Sequence, residues 1–110
     1  MIECALTVSH IRKGEQIYAG DSIFETDGND QQILAQTIME AMALTFFDMA
    51  KHSVRSDYKK IDQKGIDVTI ANGEKEARFC LRHNRGDDPV TALEAMLTWL
   101  HGDVVKEVIA

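Results

Sequence analysis

The chain of 110 residues has one proline, two cysteines and 6% aromatic residues, and no long apolar run. Each scarcity excludes something. With a single proline and seven scattered glycines, it is neither collagen-like nor a low-complexity linker. Cys4 and Cys80 are too few for a disulfide framework, so both are expected to stay thiols in a reducing compartment. No stretch approaches the roughly 18 to 20 apolar residues that span a bilayer, and Met1-Ile2-Glu3-Cys4 has no basic region ahead of an apolar core. A cytoplasmic protein with no membrane contact is the expectation. Neither a GxxxxGK nor a GxGxxG segment occurs, so no phosphate-cradling loop is read and no cofactor is expected.

Hydrophobic residues make up 45% and charged residues 27%, which suits one folded domain over residues 1–110. The net charge of −6 marks it as mildly acidic. From Ile2 to Arg12, apolar Ile2, Cys4, Leu6 and Val8 alternate with Glu3, Ala5, Thr7 and Ser9, the period of a half-buried strand. Lys13-Gly14 supplies a turn into a second strand. Aligning inward faces sets Ile17 opposite His10, Ala19 opposite Val8 and Ile23 opposite Cys4. That register leaves Asp21 facing Leu6, a mismatch that a bulge beside Gly20 would repair.

Capping side chains between Glu25 and Asp30 introduce a helix expected to begin near residue 29, and the stretch Gln31 to Ser53 has no Gly or Pro, so about six turns are expected. One face carries Leu34, Ala35, Ile38, Met39, Met42, Thr45, Phe46 and Met49 and belongs on the sheet. Next, Asn72-Gly73 between Ile66, Val68, Ile70 and Ala77, Phe79, Leu81 predicts a hairpin with a type I′ turn. In that register Val68 meets Ala77, Ile66 meets Phe79, and Asp67 meets Arg78. Ser56 to Asp62 offers a further short strand. Pro89 opens a second helix with a stripe of Val90, Leu93, Met96, Leu97 and Leu100, and the tail Val104 to Ile109 reads as a strand or another helical turn. The fold class is α+β, an antiparallel sheet of four to five strands in β-β-α-β-β-β-α order against one long and one shorter helix.

The chemistry-bearing residues cluster at Cys80, Arg82, His83, Arg85, Asp87 and Asp88, where a strand ends in a polar loop. A thiol beside an imidazole could form a nucleophile and base, the route to a small enzyme or a ligand binder. Strand parity works against it, since Cys80 shares the outer face with Arg78 and Arg82. Asp87-Asp88 ahead of Pro89 reads as a cap and a first-turn charge. The compact Cys80 to His83 spacing stands alone, so no metal site is assigned.

Nucleic acid is not an expected partner. The positive charge gathers only at Lys51, Arg55, Lys59 and Lys60, with His52 and Tyr58 nearby, on an acidic protein. The helix, three strands, helix order of residues 30–101 is similar in outline to double-stranded RNA-binding domains. Asp87, Asp88 and Glu94 stand where that family needs lysines, so no function carries over. The acids Glu3, Glu15, Asp21, Glu25, Asp27 and Asp30 permit the opposite idea, a DNA mimic that inhibits a DNA-binding partner.

The feature that points furthest is the far side of the long helix. Around Glu40 it presents Ile33, Leu44 and Phe47, with Gln36 between them. A helix apolar on both sides is covered by its own chain or by a partner. Trp99, off the centre of the second helix's stripe, fits an interface anchor. The expected function is that of a non-enzymatic protein-binding domain of adaptor, chaperone or inhibitor type. Its expected partners are a second copy of itself and an unidentified protein, met through Ile33, Gln36, Glu40, Leu44, Phe47 and Trp99.

Overall fold

The computed structural model describes residues 1–52 and 61–110, with the backbone alone at residue 18 and residues 46–52. The elements are β1 (Ile2–Arg12), β2 (Glu15–Thr26), α1 (Gln31–His52), β3 (Gln63–Asn72), β4 (Lys75–Asn84), α2 (Pro89–Leu100) and α3 (Asp103–Ile109). Among the described residues the sheet has four antiparallel strands in the order β2-β1-β3-β4. Helix α1 packs over β2 and β1, α2 over β4, and α3 over β3 and β4. The α+β class is as the alternation and helix periods imply. Residues 56–60 of the extra strand expected before β3 lie outside the described residues, while Ile61 and Asp62 form no strand. The tail takes the helical option as α3.

The core lies on one side of the sheet. Cys4, Leu6 and Val8 of β1 and Ile66, Val68 and Ile70 of β3 face Leu34, Ile38 and Met42 of α1, Met96 and Leu100 of α2, and Val105 and Ile109 of α3. The opposite face, with Glu3, Asp21, Ile23, Arg78, Cys80 and Arg82, is open to solvent. One layer of helices on one layer of sheet leaves that face uncovered.

Two registers differ from the alternation-based reading. In the first hairpin, Lys13 and Gly14 both have positive φ (50° and 82°), the type I′ pattern, and Arg12 pairs with Glu15. The register then shifts between His10 and Ile11, leaving Ile17 as the extra residue, so that His10 faces Tyr18, Val8 faces Gly20 and Cys4 faces Phe24. The bulge sits at the turn end, and not beside Gly20. A one-residue slip exchanges the faces of a strand. Ile17, Ala19 and Ile23 therefore point to the open face, where Ile23 is 81% exposed.

The energetic reason is Asp21. Aimed at Leu6, its carboxylate would cost several kcal/mol of desolvation. Exposing Ile17 and Ile23 costs at most about 1.5 to 3 kcal/mol each, less for Ile17, which stays more than half covered, and part-burial of Phe24 offsets it. Asp21 instead faces Thr7, whose hydroxyl donates to Asp21 Oδ1 at 2.9 Å.

In the second hairpin the central residues are Gly73 and Glu74, not Asn72 and Gly73. Gly73 has φ of 64° and Glu74 is not in the positive region, the type II′ pattern. Ile66 thus meets Leu81, Val68 meets Phe79, and Asp67 meets Cys80 where Arg78 was expected. This shift of two residues keeps every face. Asn72 is drawn out of the turn because its amide Nδ2 donates to the Val108 carbonyl at 3.0 Å, tying the hairpin to α3.

The stripe of α2 is also rotated from expectation. Ala92, Met96 and Leu100 are buried, whereas Val90, Leu93 and Leu97 are exposed. Trp99 sets the rotation by packing on Phe79, with ring centroids 5.3 Å apart and planes tilted by 34°.

Candidate functional site

Helix α1 begins where Asp30 caps it, its Oδ1 accepting from the Gln32 and Ile33 amides at 3.0 and 3.2 Å. Leu34, Ala35, Ile38, Met42 and Thr45 are buried on the sheet side. The far side is not covered: Ile33 is 58% exposed and Leu44 68% exposed. Gln36 and Glu40 lie between them, the Gln36 amide donating to Glu40 Oε1 at 3.4 Å. The backbone of Phe47 continues the helix, and its side chain lies outside the described residues.

The tail does not supply the cover, because α3 buries Val105, Val108 and Ile109 in the core. Met39 and Ala43 line a cleft shared with Pro89, Ala92 and Leu93 of α2. At 100° per residue, the flank of α1 turned away from α2 therefore carries Ile33, Thr37, Ala41 and Leu44. The remaining anchor is elsewhere. Trp99 stands over β4, half-buried on Phe79, and is not brought together with Ile33 and Leu44.

At the polar corner the strand order separates the proposed chemistry. Cys80 lies on the open face opposite Asp67, while His83 points to the helix side opposite Lys64. A hydrogen bond to Asp67, a little burial and the Asp67 charge raise the Cys80 thiol pKa, and nearby Arg82 only partly opposes them. A protonated thiol is a poor nucleophile. Arg82 Nη1 reaches Asp67 Oδ2 at 3.3 Å and crosses Gly65, where a Cβ would stand 2.7 Å from that nitrogen. Asp88 is the cap that the local sequence implies, but Asp87 is not a first-turn charge of α2, whose first turn holds no acid; it closes the turn ahead of the helix. Asp87 Oδ2 accepts from the Asn84 amide at 3.1 Å, and Asp88 Oδ1 accepts from the Val90 amide at 3.0 Å to cap α2. The amide of Arg85 donates to the Asp62 carbonyl at 2.8 Å. Among the described residues, no three His, Cys, Asp or Glu side chains gather as a metal site. The basic junction from Lys51 to Lys60 falls where side chains lie outside the described residues.

Sequence reasoning missed the cleft between α1 and α2. It measures about 380 Å³ and is bounded by Met39, Met42, Ile66 and Leu93, with Lys64 and His83 at its floor. Register alone builds that floor, by placing His10, Lys64 and His83 in one cross-strand row. His10, only 6% exposed, has its pKa lowered first by burial and then by the charge of Lys64. No described helix is long and apolar enough to cross a membrane. The protein matches no protein-family model, and no curated protein or solved structure is significantly similar to it.

Proposed function

We propose that this protein is a non-enzymatic protein-binding domain, of adaptor, chaperone or inhibitor type, whose first partner is a second copy of itself held through the outer flank of α1. The observation behind this reading is the exposure of Ile33 and Leu44 on one strip of a 22-residue helix that the rest of the described residues leave uncovered. Two such strips are self-complementary when antiparallel. A two-fold axis sets Ile33 of one copy against Leu44 of the other, twice, with Thr37 and Glu40 near the centre. Burying four aliphatic side chains that are now wet is the driving force.

The test is a concentration series by size-exclusion chromatography with light scattering. The wild type is expected to be dimeric in the micromolar range, and Ile33→Asp monomeric with an unchanged circular dichroism spectrum. A wild-type monomer at high micromolar concentration overturns the reading.

A second reading, a binder of a small apolar acid, has the α1–α2 cleft behind it, because an apolar cleft with Lys64 and His83 at its floor suits such a ligand. Amide shifts at Lys64 and His83 on adding decanoate would support it. Their absence at millimolar ligand removes it.

A further inference from the structure

We infer that the second copy joins through β2 as well as α1, so that two four-stranded sheets become one continuous antiparallel sheet with the two α1 helices side by side over the seam. This rests on the self-association proposed above and specifies its geometry.

Among the described residues β2 is an edge strand, hydrogen-bonded to β1 alone. Its bulge at Ile17 confines the regular part to Tyr18–Thr26, in step with His10 to Ile2. That stretch has no proline or lysine to blunt it, and its only charges are Asp21 and Glu25. Those charges choose the register. A two-fold centred on Asp21 sets that carboxylate against its own copy, and one centred on Ile23 sets Asp21 against Glu25. Like charges directly opposite are destabilising. Centring on Ser22 sets Asp21 against Ile23, Glu25 against Ala19 and Phe24 against Gly20. It also pairs the whole regular stretch, Tyr18 with Thr26.

The spacing of layers agrees. Neighbouring strands lie about 4.8 Å apart, so a helix lying over the β2 and β1 pair sits about 5 Å from a two-fold beside β2. The two α1 helices then stand about 10 Å apart, within the usual separation of packed helices. What fills the gap is the flank turned away from α2: Ile33, Thr37, Ala41 and Leu44. The levels match as well. A helix running back from Thr26 comes level with Ser22 near Glu40, because four strand residues span about 14 Å and each helical residue rises about 1.5 Å. The midpoint of Ile33 and Leu44, between Ile38 and Met39, is within a turn of that level.

Area supports the same conclusion. The α1 strip alone, about 33 Å by 10 Å, offers roughly 300 Å², well short of the roughly 800 Å² per partner of a stable interface. The contiguous β2 edge, about 30 Å long and 10 Å deep, brings the total to roughly 600 Å² per partner, the lower end of the range for specific interfaces.

The experiment compares three variants and one backbone measurement. Ile23 makes little contact within its own fold, so substitution there leaves the monomer intact. Ile23→Asp faces the partner's Asp21 and is expected to weaken dimerisation about tenfold or more, whereas Ile23→Lys faces the same carboxylate and keeps or tightens the dimer. Hydrogen exchange of wild-type protein from low to high micromolar concentration is expected to show new protection within Tyr18–Thr26 and none along β4. If Ile33→Asp is monomeric while both Ile23 variants dimerise as the wild type does, or if β2 gains no protection in a dimer, the helices pair without the sheet and the inference is overturned while self-association stands. A wild-type monomer at high micromolar concentration overturns both.

Discussion

Gln31, the first residue of α1, holds the helical layer together through one amide. Its Nε2 donates to the Leu100 carbonyl at 2.8 Å and to the Gly102 carbonyl at 2.9 Å, where α2 ends and α3 begins. The last carbonyls of a helix have no intrahelical donor, so this amide caps the C-terminus of α2. Gln31→Ala removes two hydrogen bonds of about 0.5 to 1.5 kcal/mol each, for an expected loss of about 1 to 3 kcal/mol. Gln31→Glu is isosteric and should be the worse change near neutral pH. It replaces a donor with a carboxylate aimed at two carbonyl oxygens, adding a desolvation penalty of about 1 to 3 kcal/mol. One effect runs the other way, since an acid at a helix N-terminus gains about 0.3 to 1 kcal/mol from the macrodipole. The sum remains unfavourable, about 1 to 6 kcal/mol. The carbonyls also favour the protonated acid, so the introduced glutamate should titrate above the ordinary value of about 4.3. Stability lost as pH rises through that raised pKa returns as pH falls below it, because the protonated acid can donate one bond. Urea unfolding of wild type, Gln31→Ala and Gln31→Glu between pH 4 and 8 measures this. A Gln31→Glu protein as stable as wild type at pH 7, or a deficit that does not shrink toward pH 4, would refute the capping role.

Three shorter predictions concern the thiols and the first helix. Cys80 should react with iodoacetamide more slowly than a free thiol at pH 8, and Asp67→Asn should speed it, because Asp67 both accepts from the thiol and repels the thiolate; a Cys80 faster than free cysteine would restore a nucleophilic role. Burial raises the Cys4 thiol from 9.0 to about 11, so the unfolded chain loses this proton first as pH rises. Stability is therefore full below pH 9 and falls between 9 and 11 by about 3 kcal/mol, a drop that should be absent from Cys4→Ala in parallel denaturation curves. Removing the α1 cap with Asp30→Ala should cost about 1 kcal/mol in urea unfolding; no loss would mean that water replaces it fully.

Which parts of the fold were legible depends on the parity of each error. In β3 and β4 the turn was misplaced and the pairing moved by two residues, yet Ile66, Val68, Ile70, Ala77 and Phe79 kept the correct face, because a strand repeats every two residues. In β1 and β2 the pairing moved by one, and Ile17 and Ile23 passed from the core to solvent. Alternation within β2 carries no mark of where an extra residue will be looped out. The sign available was chemical, since Asp21 needed a polar neighbour and found Thr7. For α2, five apolar residues at helical spacing admit more than one centre, and the choice fell to the Trp99 contact with Phe79, a pairing between distant segments. The outer flank of α1 was readable because Ile33 and Leu44 lie three turns apart on the side opposite Ile38 and Met42. The α1–α2 cleft was not, because its floor exists only after β3 and β4 pair.

The two strand edges show how these readings join. Along β4, the open face carries Glu76, Arg78, Cys80 and Arg82, and Lys75 leads the strand, so long charged side chains flank the free backbone and keep another strand away. Along β2 beyond the bulge, the open face carries Ala19, Asp21, Ile23 and Glu25, and helical periodicity puts the strip of Ile33 and Leu44 on the flank of α1 turned from α2 and towards this edge. The slip that kept Asp21 out of the core therefore also placed an 81% exposed Ile23 beneath the edge that, among the described residues, lacks basic guards. An aliphatic residue below the edge and two above it bracket the same line of backbone donors and acceptors. If the edge were merely solvated, a charge at position 23 of either sign would be neutral to assembly. Opposite responses to Ile23→Asp and Ile23→Lys, together with new protection of the β2 amides, follow if a second β2, with its Asp21, lies across the seam.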